Sequence, residues 1–225
     1  MSSDIAVIFD MDGVLLDTEM IYMKAWEERA RQTLLDVDFV RDMVLACTGT
    51  TSAMTKEIMI QRLGSIEAYE EGVTYTRNYF HKYINDNGIP VKKYVRDILQ
   101  YLNSNNIPTG LASSTKEAVV RQEISEAGII DYFTVILGGD NVVNGKPAPD
   151  IFLDCASKLK ADPKNCYVIE DSFNGIRAAY AAGMHPIMVP DLRQPDDEIR
   201  SYCDAVLPDL NEVMAFIRSK LKSDQ

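Results

Sequence analysis

A doubly wound parallel α/β sheet interrupted by an all-helical insertion is the fold class that three observations in this sequence predict. Residues 5–9, IAVIF, form a short β-branched and aromatic run ending on an acid, Asp10, the signature of a parallel strand buried on both faces. Residues 19–87 then carry only helical periodicity, with no convincing strand. From residue 88 onward, short apolar runs alternate with helical patterns, as expected when helices connect neighbouring strands of a parallel sheet.

Taken in order, the insertion is expected to fold as helices over residues 20–31, 37–47, 52–63 and 66–87, the last closed by Gly88 as a C-terminal cap. The core resumes with a helix at 95–103, a strand at 108–112 and a helix at 116–127 with Gly128 behind it. A strand at 135–137, a helix at 150–159, a strand at 167–169 and a helix at 172–182 stopped by Gly183 follow. Strands at 186–189 and 205–207 and a helix at 210–221 complete the pattern. The expected domains are a Rossmann-like core, residues 1–17 with 90–225, and a helical cap, residues 18–89. Asp17, Thr18 and Glu19 read as the hinge, with Thr18 capping the first cap helix, and Trp26 reads as cap core.

Composition narrows the function. The chain has 225 residues, more than one average domain of roughly 150 and fewer than two. A net charge of -11 repels polyanions, which argues against nucleic acid or an anionic membrane as partner. The apolar stretch near the N-terminus is only five residues long, too short for a leader or a span, so a cytoplasmic location is expected. A monomer is expected as well. Cys47, Cys155, Cys166 and Cys203 are scattered without a CxxC pair and read as reduced, core-filling residues. His81 and His185, the two histidines, lie outside any Arg-His-Gly context, and no cysteine has an arginine six positions later. Phosphohistidine and thiolate phosphatase chemistries therefore lack a nucleophile. The glycine spacing from Gly139 to Lys146 is one residue too long for a P-loop, and Pro147 takes its hydroxyl position.

In a sheet of this class ligands sit beyond the carboxyl ends of the strands, so the residues that follow each strand carry the functional signal. After the first stand Asp10, Met11, Asp12 and Gly13; alternate residues in extended chain share a face, which aims both carboxylates at one site, and Gly13 permits a turn or a close approach. After the second comes the hydroxyl run Ser113, Ser114, Thr115, read as opening a helix whose free amides favour a phosphate. After the third comes GKPAPD, in which Pro147 and Pro149 suit a first helical turn and hold Lys146 in an extended pose. After the fourth come Glu170 and Asp171, whose burial requires a cation; hard oxygens without histidine or thiolate select a hard ion such as Mg²⁺.

The segments DMDGVLLDTE, SST, KPAPD and IEDSFNGIRAA together resemble the four motifs of the haloacid dehalogenase superfamily, in its phosphatase and β-phosphoglucomutase-like branch with a helical cap, across essentially the whole chain. By that resemblance Asp10 attacks phosphorus and Asp12 acts as general acid and then general base, while Ser113 and Lys146 hold the phosphoryl oxygens. Mg²⁺ is implied on the Asp10 side chain, the Asp12 backbone carbonyl and Asp171, with Glu170 an additional or water-mediated ligand. Gly13, Ser114, Thr18, Tyr22 and Thr51 complete the residues expected near phosphate or substrate, a small phosphorylated metabolite. The dehalogenases themselves lack the second aspartate, which Asp12 supplies here, and a non-catalytic relative would be expected to have lost one of these acids. The mutases place a histidine where Tyr22 stands and cations in the loop that reads Thr48 to Ser52, which favours hydrolysis over mutase chemistry.

Overall fold

The computed structural model describes residues 5–47 and 52–223, and the chain divides into two compact units, Met1–Leu16 with Val91–Gln225, and Asp17–Pro90. In chain order the elements begin with β1 (Ala6–Phe9), α1 (Thr18–Thr33), α2 (Val37–Cys47), α3 (Ser52–Leu63) and α4 (Ile66–Asn87). They continue with α5 (Val95–Ser104), β2 (Thr109–Ala112), α6 (Glu117–Glu126), β3 (Val135–Leu137), α7 (Asp150–Leu159) and β4 (Cys166–Glu170). The chain then runs through α8 (Phe173–Ala181), β5 (His185–Met188), α9 (Asp197–Tyr202), β6 (Ala205–Val206) and α10 (Leu210–Ser223).

Among the described residues the strands form one six-stranded sheet, parallel throughout, in the order β3-β2-β1-β4-β5-β6. The order reverses at β1, which places the end of β1 at the crevice where such sheets bind ligands. Strand alternation divides the core into two layers. Ala6, Ile8, Cys166 and Val168 pack with Phe152 and Cys155 of α7 and Ala178 and Ala179 of α8. On the other face Phe9 meets Phe133 edge-on at 6.4 Å and Tyr167 meets Phe216 of α10 at 6.2 Å. Strands β1 and β4 are thus covered on both sides, which is why their sequences read as nearly continuous apolar runs.

The second unit is all-helical, each helix packing on the next and α1 also on α4. Trp26, 6% exposed, clusters with Ala30, Val40, Met43, Cys47 and Met59, as expected of a core indole. The two chain crossings between the units are joined locally: Leu16 bridges Val91, and the Lys92 amide donates to the Leu15 carbonyl.

Three local readings need correction. Thr18 does not cap α1 from outside; it is the first helical residue and is buried, and Asp17 at the cap position makes no side-chain capping bond. Pro147 and Pro149 precede α7 rather than lying in its first turn, because the helix begins at Asp150. The helix after Ser113, Ser114 and Thr115 begins only at Glu117. Helix α9 and the single turns Ile130–Tyr132, Gly139–Asn141 and Pro163–Asn165 went unanticipated, since three to six residues are too few to display a helical period. The cysteines are free thiols, with Cys47, Cys155 and Cys166 buried. Among the described residues no helix is long and apolar enough to cross a membrane.

Candidate active site

Four neighbouring strands deliver the site, and each does so through a different backbone device. The Asp10 amide donates to the Ile169 carbonyl at 3.0 Å, so the pairing of β1 with β4 runs one residue past the strand and fixes Asp10, a buried residue, at its mouth. The chain then turns tightly: Gly13 has φ of +78°, a conformation in which side chains are strained, and a Cβ there would lie 2.4 Å from Asp171 Oδ2. Gly13 therefore lets this turn lie against the acid that follows β4.

Beyond β2 the buried Ser113 hydroxyl accepts the Thr115 amide at 3.0 Å, and the Thr115 hydroxyl donates to Asp12 Oδ2 at 3.2 Å. Ser114 is exposed. The Glu117 amide at the start of α6 is already taken by Asp140 Oδ1 at 2.8 Å, so the first-turn donor anticipated for phosphate is occupied by a carboxylate.

Lys146 is 6% exposed, and its ammonium donates to Asp10 Oδ1 at 2.5 Å, Glu170 Oε1 at 2.7 Å and the Ala112 carbonyl at 3.0 Å, with the Phe152 ring 4.8 Å away. An ammonium has three N–H donors, and here all three are engaged. In this geometry Lys146 holds Asp10 and Glu170 to the end of β2 through its one ammonium. The Lys146–Pro147 peptide is cis.

Glu170 is fully buried at the end of β4, and its second oxygen accepts the Asp171 amide, the Ser172 amide and the Ser172 hydroxyl at 2.9–3.1 Å. Gly175 makes room for it, since a Cβ there would sit 1.8 Å from Glu170 Oε1. Oxygens of Asp10, Glu170 and Asp171 all lie within 4.8 Å of one another, an arrangement able to hold a metal ion. The Asp12 carboxylate is not part of that group.

Burial pushes the Asp10 carboxyl well above its usual range, Glu170 and Asp12 add to the push, and the Lys146 ammonium opposes it. For Lys146, burial disfavours the charged form, but Asp10 and Glu170 outweigh it and keep the ammonium protonated. Three carboxylates face one ammonium, an imbalance of two negative charges when all are ionised. A divalent cation on oxygen ligands matches that deficit in charge and donor type, so the residues fit such an ion.

Half-buried Glu123 on α6 is pushed up from its ordinary 4.5 to about 7 by burial, with Asp12 and Glu126 adding to the effect. Because its folded value lies above its unfolded one, its contribution is intact below pH 4.5 and is lost as pH rises through about 7. Solvent screening reduces the penalty to about 1–2 kcal/mol. Glu123→Gln is therefore expected to raise the thermal midpoint by about 2–6 °C at pH 8 and to leave it nearly unchanged at pH 4. Melting curves at both pH values test this, and an equal shift at both would contradict it.

The structure thus brings together Asp10, Lys146, Glu170 and Asp171, with Gly13 against them, and ties Asp12 to the Ser113 loop through Thr115. Thr18 and Tyr22 belong to the helical unit, where Tyr22 stacks on Phe80 at 4.9 Å; Thr51 lies outside the described residues. The hydroxyl of Thr115, the Ala112 carbonyl and the capping role of Asp140 were missed by sequence reasoning. The only sequence signal for Thr115 is its membership of the hydroxyl run after a core strand, because its partner is 103 residues away.

Comparison with known proteins gives the family of the chain. Residues 6–183 match the family model described as haloacid dehalogenase-like hydrolase. The chain is 32% identical to a phosphorylated carbohydrates phosphatase of Thermotoga maritima over 186 residues, covering 81% of this chain and 83% of that protein. It is 33% identical over 192 residues to the β-phosphoglucomutase of Bacillus subtilis, covering 82% of each. The crystal structure of a β-phosphoglucomutase from Clostridium difficile superposes with a TM-score of 0.72 at 27% identity, covering 97% of both chains. The chain accordingly belongs to the haloacid dehalogenase-like hydrolases, in their phosphatase and β-phosphoglucomutase-like branch, and is an enzyme of the phosphoric monoester hydrolase class.

Proposed function

We propose that this enzyme is a Mg²⁺-dependent phosphatase that hydrolyses a small phosphomonoester, a sugar phosphate or similar, through an aspartyl-phosphate on Asp10. The observation that carries the reading is the buried meeting of Asp10, Glu170 and Asp171 with the fully engaged ammonium of Lys146. A sheltered carboxylate aimed out of a strand end, braced by an ammonium, suits attack on phosphorus in a site that must offset its own negative charge.

Asp10, Asp171 and the Asp12 carbonyl would hold Mg²⁺, with Glu170 supporting, and the ion would supply charge neutralisation for the transferring phosphoryl group. Asp10 attacks phosphorus while Asp12 gives a proton to the departing oxygen; Asp12 then takes a proton from the water that cleaves the aspartyl-phosphate. Ser113 offers its hydroxyl to a phosphoryl oxygen, and Lys146 keeps Asp10 oriented throughout. Glu170 keeps Lys146 in place and holds the turn carrying Asp171. The carbohydrate substrates in the name of the Thermotoga relative support a sugar phosphate, and the negative charge of the chain suits a small ligand over a polyanion. The same reading has the enzyme working as a cytoplasmic monomer.

A second reading, phosphate return to a sugar as in a β-phosphoglucomutase, is favoured by the similarity to the Bacillus enzyme and opposed by Tyr22 and the uncharged Thr48 to Ser52 sequence. Inorganic phosphate release from a panel of phosphorylated metabolites, with Mg²⁺ and after its removal by chelator, tests the proposal. Release that stops with chelator and returns with Mg²⁺ is expected. No release from any member, or release indifferent to the chelator, would overturn it. Conversion of β-glucose 1-phosphate to glucose 6-phosphate faster than phosphate release would favour the mutase.

A further inference from the structure

We propose that Thr115 is a positioning residue for the proton transfers of Asp12, an inference that rests on the phosphatase reading above. The Thr115 hydroxyl donates to Asp12 Oδ2 at 3.2 Å, while its amide donates to Ser113 Oγ at 3.0 Å. One residue thereby ties the acid/base candidate to the hydroxyl offered to phosphate. Its own place is secured from a third loop: the Gly139 amide donates to the Thr115 carbonyl at 2.8 Å, and Asp140 from the same turn holds the Glu117 amide. Thr115 is half-buried and β-branched, so few side-chain rotamers are open to it.

The chemistry needs such a restraint. A carboxylic acid protonates a leaving group only when its O–H is aimed at that oxygen, and a carboxyl at the end of a strand turn is free to rotate unless something holds it. The Thr115 hydroxyl on Oδ2 restrains the rotation of the carboxyl that carries the transferable proton. As the ester P–O bond breaks, its electron pair stays with the leaving oxygen, which takes that proton. In the second half-reaction Asp12 recovers a proton from the attacking water, and no net change remains on the enzyme.

The test compares substrates with different needs for an acid. A sugar-type alkyl phosphate releases a strongly basic alkoxide, whereas p-nitrophenyl phosphate releases an anion stable at neutral pH. The quantity kcat/KM reports transfer to Asp10 and is blind to the later hydrolysis. In Thr115→Val, kcat/KM for the alkyl phosphate hydrolysed fastest in the metabolite panel is expected to fall by about tenfold or more, and for p-nitrophenyl phosphate by less than about threefold. Thr115→Ser keeps the hydroxyl and is expected to restore most of the loss. In an Asp12→Asn background Thr115→Val is expected to leave the ratio of the two substrates unchanged, since the group it acts through is gone. Thr115→Ala removes the same hydroxyl should the valine variant fail to fold. Equal losses on both substrates, no loss at all, or failure of serine to restore activity would overturn the assignment. Absence of turnover in the unmodified enzyme, by contrast, strikes at the phosphatase reading itself.

Discussion

Asp10→Asn is expected to lower phosphate release by roughly 10⁴- to 10⁶-fold, the range lost when a covalent nucleophile is removed, with little change in stability. The asparagine oxygen can still accept the Lys146 hydrogen bond, while its amide is a far poorer nucleophile than a carboxylate and forms no acyl phosphate. Stability is expected to hold because the substitution removes one of three closely spaced acids from a buried site, relieving repulsion, while Lys146 keeps Glu170 and the Ala112 carbonyl. Phosphate release, trapping of a labelled phosphoprotein after acid quench, and thermal unfolding on one preparation check all three points. A variant that folds normally yet retains more than about one hundredth of the activity would remove Asp10 from the mechanism.

Lys146→Met is expected to fail in both respects, and the contrast separates charge from shape. Methionine approximates the aliphatic stem against Phe152 but leaves Asp10 and Glu170, side chains 10% and 0% exposed, facing each other without the ammonium between them. Breaking a buried ion pair from one side costs about 3–5 kcal/mol, because the orphaned charge stays desolvated. Activity is expected to fall by roughly 10²- to 10³-fold as a fixed electrostatic contributor is lost. Denaturant titration beside phosphate release tests this. A stability change below about 1 kcal/mol would mean that Asp10 and Glu170 do not depend on Lys146 for neutralisation.

Both predictions concern residues that the sequence already singled out, for a physical reason. A parallel strand buried on both faces must be a continuous apolar run, so the strand before Asp10 and the one running into Glu170 announce themselves, as do the polar residues at their ends. Pattern likewise sufficed for the helical insertion, since helices long enough to bury one face must repeat with the helical period. Elements too short for a period escaped notice, among them α9 and the turn at Gly139–Asn141, although that turn holds the start of α6 through Asp140.

What the linear chain determined by itself is the alternation of strand and helix, the acids and the lysine placed just beyond the strands, and a net charge that points to a small ligand. Only the tertiary structure decided how those groups share their bonds. It brought Lys146 and Asp10, 136 residues apart, into contact and engaged all three ammonium hydrogens. It also gave the α6 terminus to Asp140 and turned Thr115 toward Asp12. Residue type sets what a group can donate or accept, but which partner it meets depends on strand order and on the loops that β3-β2-β1-β4 neighbours bring to one edge, and these exist only once the sheet is assembled.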